Sequence, residues 1–418
     1  MMSDNAAGKR LWIGRWGYAE SFVLAASALA GGFLAEWVCG PPPLDRLAWP
    51  LNLFAALALA VLCLACRPLR KLGAVRYLSS APLAVALMIA LGLLSLVAGT
   101  IPQAPVPYVP PLQKDPATRL GLDHLTSSWP LAVVYAATLL SLGAAVAVRL
   151  SVKRPVFLAN HLGLWLLLVA AGLGAADRER EIMTVAEGGL EWRARRADGG
   201  AVEMPLAIRL DSFDIEEYPA KLALVDHESG LPMEEAGRVA LFQLDPMEPK
   251  GRLLDYDVEL LEFIPGAMAA GSDVFVRAIS GAAVQAARLR ATNRLTGKNF
   301  EGWLSTGENL RPPRPLNLEG SLLLAMTRPE PRRFVSKVKV FTREGREIES
   351  SIEVNKPLKA GDWLVYQRDY DTEAGRSSAW SGFELVKDPW LLMANCGMGL
   401  WAVGALGLVA RGKRRGSK

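Results

Sequence analysis

Six apolar runs constrain this chain more than any other feature: 18–39, 48–66, 79–99, 129–149, 156–176 and 389–410. Each is about 20 residues long, and a helix rising about 1.5 Å per residue crosses a hydrocarbon core of roughly 30 Å in that length. Backbone inside lipid must satisfy its own hydrogen bonds, so such runs fold as helices. The mean hydropathy of +0.20 is high for a water-soluble chain, and the excess sits in these runs, whereas 177–388 has ordinary soluble composition. The expected fold class is an integral membrane α-helical bundle of about six transmembrane helices plus a large extracytoplasmic β-rich, antiparallel sandwich-like domain. Four parts are expected: an N-terminal extension with two helices (1–77), a three-helix membrane core (78–176) with an outer loop at 100–128, the β-rich domain (177–388), and a final helix with a basic tail (389–418).

The basic residues orient the bundle. Lys9, Arg10 and Arg15 precede the first run, Arg67, Arg70, Lys71 and Arg76 follow the second, and Arg149, Lys153 and Arg154 follow the fourth; Arg411, Lys413, Arg414, Arg415 and Lys418 close the chain. Alternate threading puts every cluster on one side, and the excess of Lys and Arg marks that side as cytoplasmic. Both termini are then cytoplasmic and 177–388 extracytoplasmic, as in a multi-pass protein of a bacterial inner membrane. The net charge of +5 needs no nucleic acid to explain it; basic ends facing anionic headgroups suffice. The start also reads as a signal with Ala28-Leu29-Ala30 before a cut, but the apolar run continues to Val38, which favours an uncleaved anchor.

Four cysteines make no disulfide scaffold. Cys63 and Cys66 lack further ligands nearby and read as small hydrophobes packed in the bundle; Cys39 and Cys396 both fall toward the outer side, where a disulfide is chemically allowed. In the soluble part, 206–218, 256–264, 273–280 and 336–354 alternate as strands do, with a hairpin turn at Arg343-Glu344-Gly345-Arg346. Residues 282–297 read as more helical. Residues 98–111 suggest a stiff proline-rich path, and 120–130 a short interfacial helix with Leu120, Leu122 and Leu125 at the headgroup boundary.

Several stretches in order resemble the ResB (also called CcsB) family, the membrane subunits of system II cytochrome c maturation. They are Gly99-Thr100-Ile101-Pro102-Gln103, Leu120-Gly121-Leu122 with Ser128-Trp129, His161-Leu162-Gly163, Leu210-Asp211-Ser212-Phe213, Glu217-Tyr218-Pro219, Ile352-Glu353-Val354-Asn355-Lys356-Pro357-Leu358, Tyr366-Gln367, Tyr370 and Lys387-Asp388-Pro389-Trp390. The resemblance covers roughly 78–410 and leaves the first two runs as an addition. It implies a subunit that helps carry haem b, in transit, across the membrane for covalent attachment to apocytochrome c, together with a ResC/CcsA-type partner that holds the tryptophan-rich haem-handling loop. Such a chain is a non-catalytic or co-catalytic subunit of a holocytochrome c synthase, with no catalytic residue of its own. The alternative is a membrane scaffold that binds no haem and recruits redox or apocytochrome partners through its outer domain. Where family members often carry a histidine just before Ser-Trp, this sequence has Ser127, with its histidine earlier, at His124, so no haem role is carried to His124.

The expected cofactor-binding residue is His161, an axial ligand to haem; no other metal site is expected. It lies seven residues after Arg154, roughly 10 Å into the inner leaflet. Burial there favours neutral imidazole, the form that ligates haem iron. The competing reading is a histidine bonding a neighbouring helix, and Gly163 serves equally for approach of a flat macrocycle or of a helix. Tyr366 and Tyr370 are expected on one face of a strand with Gln367 on the other, Asn355-Lys356-Pro357 in a turn, the acidic residues of 211–217 along a solvated strand edge, and His227 in a polar turn.

Overall fold

The computed structural model describes residues 16–104, 115–271, 274–278, 283–307 and 312–416. The chain divides into two compact units: Met1–Arg180 with Ala197–Gly199 and Lys387–Lys418, and Glu181–Arg196 with Gly200–Val386.

The first unit is helical: α1 (Tyr18–Cys39), α2 (Leu51–Ala65), α3 (Gly73–Leu78), α4 (Ala81–Thr100), α5 (Pro116–Arg119), α6 (Trp129–Val148), α7 (Pro155–Leu173) and α8 (Leu391–Gly416). Five of these, α1, α4, α6, α7 and α8, are long and apolar enough to cross a membrane. The second apolar run differs from expectation. Pro50 stands at the N-cap of α2 and a turn follows Cys66, leaving a helix of 15 residues, or about 22 Å, which falls short of the roughly 30 Å hydrocarbon core. Proline sets other starts too: Pro82, Pro130 and Pro155 occupy first-turn positions of α4, α6 and α7, where the missing N–H costs nothing.

Small residues bring these helices together. A β-carbon at Gly32 of α1 would lie 2.6 Å from Cα of Pro130, and one at Gly143 of α6 would lie 2.4 Å from Cys63 Sγ. Cys63 is buried against this glycine and Cys66 is buried too, in keeping with a packing role for both. Cys39 and Cys396 are free and exposed, so the disulfide allowed by their expected location is not formed.

Residues 120–130 form no interfacial helix. Gly121 adopts φ +72°, which ends the short α5, and only a 3-10 turn at Leu125–Ser127 follows. Leu125 is 1% exposed, inside a core with Leu83, Leu87, Leu94 and Val134, so it does not sit at a headgroup boundary. Of the proline-rich path at 98–111, residues 105–111 lie outside the described residues, and 98–100 finish α4.

The second unit is built of antiparallel ladders. Its largest sheet orders eight strands: Glu347–Glu353, Pro331–Thr342, Ala201–Glu217, Leu190–Arg195, Glu179–Ala186, Trp380–Lys387, Trp363–Tyr370 and Leu358–Ala360. It curls on itself, because Ser336 near one end bonds Gln367 near the other (2.5 Å), and Met183, Ile208, Leu210, Val340, Ile352, Val365 and Phe383 fill the interior. The expected hairpin forms, with Val340 opposite Ile348 and Gly345 at φ +77°. Strand 201–217 is an interior strand of this sheet, not an edge; its Asp211, Asp214 and Glu216 are solvent-side and pair with Arg209, Arg376 and Arg333.

A four-stranded sheet (Leu316–Asn317, Leu322–Met326, Lys221–Asp226, Leu241–Gln243) and a five-stranded one (Phe275–Arg277, Tyr256–Ala269, Val284–Asn293, Asn299–Ser305, with Lys250–Leu253) share a second core of Leu222, Leu224, Leu324, Val258, Leu289 and Leu304. Most of 282–297 is therefore strand rather than helix. Its Ala, Leu and Arg favour a helix locally, but Ala287, Leu289 and Ala291 alternate with Arg288 and Arg290. That period of two buries one face, and tertiary burial outweighs propensities of a few tenths of a kcal/mol. Of 273–280, residues 275–277 form the strand, and 273, 279 and 280 lie outside the described residues.

Candidate functional site

His161 stands in the second turn of α7, within a stripe of Phe157, His161 and Trp165 at i, i+4 spacing. Trp165 Nε1 donates to the Leu139 carbonyl of α6 (3.0 Å) and Tyr135 Oη to the Leu168 carbonyl (2.6 Å), so α6 and α7 are tied at the end of this stripe and just beyond it. His161 Nδ1 donates to the Phe157 carbonyl at 3.0 Å, and the imidazole stacks on the Phe157 ring with centroids 4.0 Å apart and planes 26° from parallel. A carbonyl can only accept, so Nδ1 carries the hydrogen, and in the neutral ring the lone pair is on Nε2. Nε2 makes no hydrogen bond among the described residues. The side chain is half-buried. A bond at Nδ1 that fixes tautomer and ring orientation is the support usually found behind metal-binding histidines.

The interhelical bond weighed against haem ligation is absent among the described residues, since His161 bonds within its own helix. Gly163 resolves differently. A β-carbon there would lie 2.3 Å from the Trp401 nitrogen and 2.7 Å from the Gly397 carbonyl oxygen. Gly397 and Gly404 of α8 are as tightly placed against Leu167 and Asn160 of α7. Gly163 thus serves the α7–α8 contact, as small residues do between apolar helices, and not the approach of a macrocycle.

Beyond Phe157 lies Arg149, at the C-cap of α6. Its guanidinium carbon is 6.0 Å from the Phe157 centroid, and Nη1 donates to the Ser79 carbonyl at 3.0 Å.

Two polar clusters escaped the sequence reading. Glu36, near the end of α1, is 2% exposed. Its Oε1 meets His124 Nε2 at 3.0 Å, and its Oε2 accepts from the Trp129 backbone N–H at 2.8 Å; His124 Nδ1 meets Asp123 Oδ1 at 2.6 Å. Two carboxylates bracket the ring. Gln103, the last residue of the Gly-Thr-Ile-Pro-Gln stretch, donates to the Leu122 carbonyl and accepts from the Leu125 N–H, so that stretch fixes the loop carrying His124. A carboxylate deep in an apolar run, well past Glu20 at its start, was the available signal. In the second cluster, Asp177 accepts from Trp49 N–H (2.7 Å), Asn52 Nδ2 (2.6 Å) and Trp390 Nε1 (2.7 Å). Burial alone would raise its pKa, but bonds from Asn52, Trp390 and Trp49 outweigh it and hold the carboxyl below its ordinary value. These bonds tie the start of α2 and of α8 to the end of α7, which makes the short α2 an integral member of the bundle.

Asn355 adopts φ +65° in the turn after strand 347–353, as expected of Asn-Lys-Pro. Tyr370 does not share the Tyr366 face. The ladder skips Arg368, pairing Gln367 with Phe383 and Asp369 with Gly382, and this bulge turns Tyr370 to the Gln367 side, where it stacks near Phe213 and Phe334. His227 is exposed in a turn. Among the described residues, no group of three or more His, Cys, Asp or Glu side chains could hold a metal ion.

The fold and site define a chain with five helices able to cross a membrane and an antiparallel β unit. No protein-family model matches it, and no curated protein does. Among solved structures it is similar to a chain titled Cytochrome c Heme Lyase CcmF, with 13% identity and a TM-score of 0.22, over 94% of this chain and 46% of that one. The chain therefore spans about half the length of that protein, and at this TM-score the likeness carries no argument about function.

Proposed function

We propose that this chain is a multi-pass membrane protein of ResB (CcsB) type that helps carry haem to the outer face for attachment to apocytochrome c, working with a ResC/CcsA-type partner. In this reading α1, α2, α4, α6, α7 and α8 cross the bilayer, the short α2 with local thinning of the hydrocarbon, so that the basic loops lie in the cytoplasm, and His161 is an axial ligand to haem b in transit. The β unit meets the apocytochrome, and thioether chemistry belongs mainly to the partner. The observation that carries the proposal is His161 itself, whose Nδ1 is committed to the Phe157 carbonyl while Nε2 makes no hydrogen bond among the described residues. Iron needs that lone pair. The ordered motifs of the sequence support the choice of cargo.

The test is to purify the chain with its membrane partner and record the haem spectrum. H161A is expected to weaken or shift it while the complex still assembles. An unchanged spectrum in H161A would overturn the proposal and favour the scaffold, a role in which deletion of 177–388 is what abolishes association.

A further inference from the structure

We infer that Arg149 binds a propionate carboxylate of the haem that His161 ligates, so that one edge of α6 and α7 offers both a ligand for iron and a cation for the acid side chains. The inference rests on the haem-ligand reading of His161. An arginine keeps its charge under all ordinary conditions, and no carboxylate pairs with this one among the described residues. Both of its hydrogen bonds, to the Ser79 and Ala145 carbonyls at 3.0 and 3.4 Å, leave from Nη1. Nε and Nη2 remain, and together they form the side of the guanidinium fork that grips a carboxylate through two parallel bonds. The group is half-buried, where a charge without a counter-ion is costly and one with an anion is favourable.

Its distance from His161 is bounded by two ring contacts in series. The guanidinium carbon stands 6.0 Å from the Phe157 centroid, and Phe157 stands 4.0 Å from His161. Cation and imidazole are thus within the span of one porphyrin, whose propionates reach outward from the ring edge. Phe157 contacts both and holds them in one apolar neighbourhood. An anionic lipid headgroup offers similar oxygen chemistry, and the experiment separates the two.

The full-length chain is reconstituted in discs of zwitterionic lipid and, separately, of zwitterionic plus anionic lipid. Haemin and haemin dimethyl ester, which lacks the free acids, are titrated against each and followed by absorbance. Wild type is expected to bind haemin at least roughly tenfold more tightly than the diester, since a single charge-assisted hydrogen bond already gives about that factor and the fork makes two. R149Q is expected to lose that preference while keeping the axial-ligand band, and R149K to keep part of it. H161A should lose the band with both ligands. If R149Q retains the full preference, the inference falls and the His161 reading stands. If R149Q alters only retention of anionic lipid, Arg149 serves headgroups and the inference falls equally. If H161A leaves the band unchanged, the reading of the site itself fails.

Discussion

Replacing Gly163 with alanine puts the α7–α8 contact to a quantitative test. The added carbon would stand 2.3 Å from one backbone atom of α8 and 2.7 Å from another, whereas carbon contacts settle near 3.5–4.0 Å, roughly. Backbone cannot rotate away as a side chain can, so the helices must part by more than about 1 Å, the shortfall from that contact distance. Overpacking of this kind costs about 1–3 kcal/mol. Alanine also gains about 1 kcal/mol over glycine in a helix. Gly399 of α8 supplies the control, because nothing lies within 4 Å of its β-position. G399A collects the propensity gain alone, so the difference between the two variants isolates the clash at about 1–3 kcal/mol. Thermal unfolding in detergent, followed by tryptophan fluorescence, should place G163A several degrees below G399A. Equal midpoints would refute the close helix contact and restore Gly163 as a candidate wall for haem.

The buried pair of Glu36 and His124 should be costly to break from one side. E36A removes the buried carboxylate from His124 Nε2, leaving Asp123 on the other ring nitrogen, and takes the acceptor from the Trp129 N–H. It is expected to destabilise by about 3–5 kcal/mol, whereas an E36L/H124L double variant should recover much of that; a double-mutant cycle of melting midpoints measures it, and equal losses would contradict the pairing. In the β unit, the Ser229 backbone N–H, the Ser321 hydroxyl and the Ser229 hydroxyl hold Asp226 down at about 2, from an ordinary 3.8. A depressed folded pKa stabilises above the ordinary value and is lost as pH falls through the folded one. Wild type and D226N should therefore differ near neutrality and converge as pH drops from about 4 to about 2, the window those two values set; a constant gap in acid unfolding curves would contradict it.

The parts of this molecule legible in its sequence are those governed by local rules. Runs of about 20 apolar residues specify helices because hydrocarbon offers the backbone no other partner. Residues 206–218 and 336–354 declare themselves by alternation of polar and apolar positions, with Gly345 at the turn. Residues 284–293 were misread because Ala, Arg and Leu favour a helix on their own and become a strand only when Val258 and Leu260 lie beside them. Contacts between distant residues left no local mark. Glu36 and His124 are 88 residues apart and Asn52 and Asp177 125, and even Glu36, odd in its apolar run, does not name its partner. The one site residue named from sequence, His161, stood out as a lone imidazole in an apolar run. Its bond to Phe157 and the nearby Arg149 needed the helix pair to be seen.

Substitution of His161 by glycine, with free imidazole added back, tests the central claim most directly. The purified H161G chain, titrated with haemin, should lack the axial-imidazole absorbance, and millimolar imidazole should restore it by filling the vacated position. Haem absorbance in H161G that matches the unsubstituted chain, with no response to imidazole, would show that iron does not meet this side chain, and the haem-carrying account would be wrong.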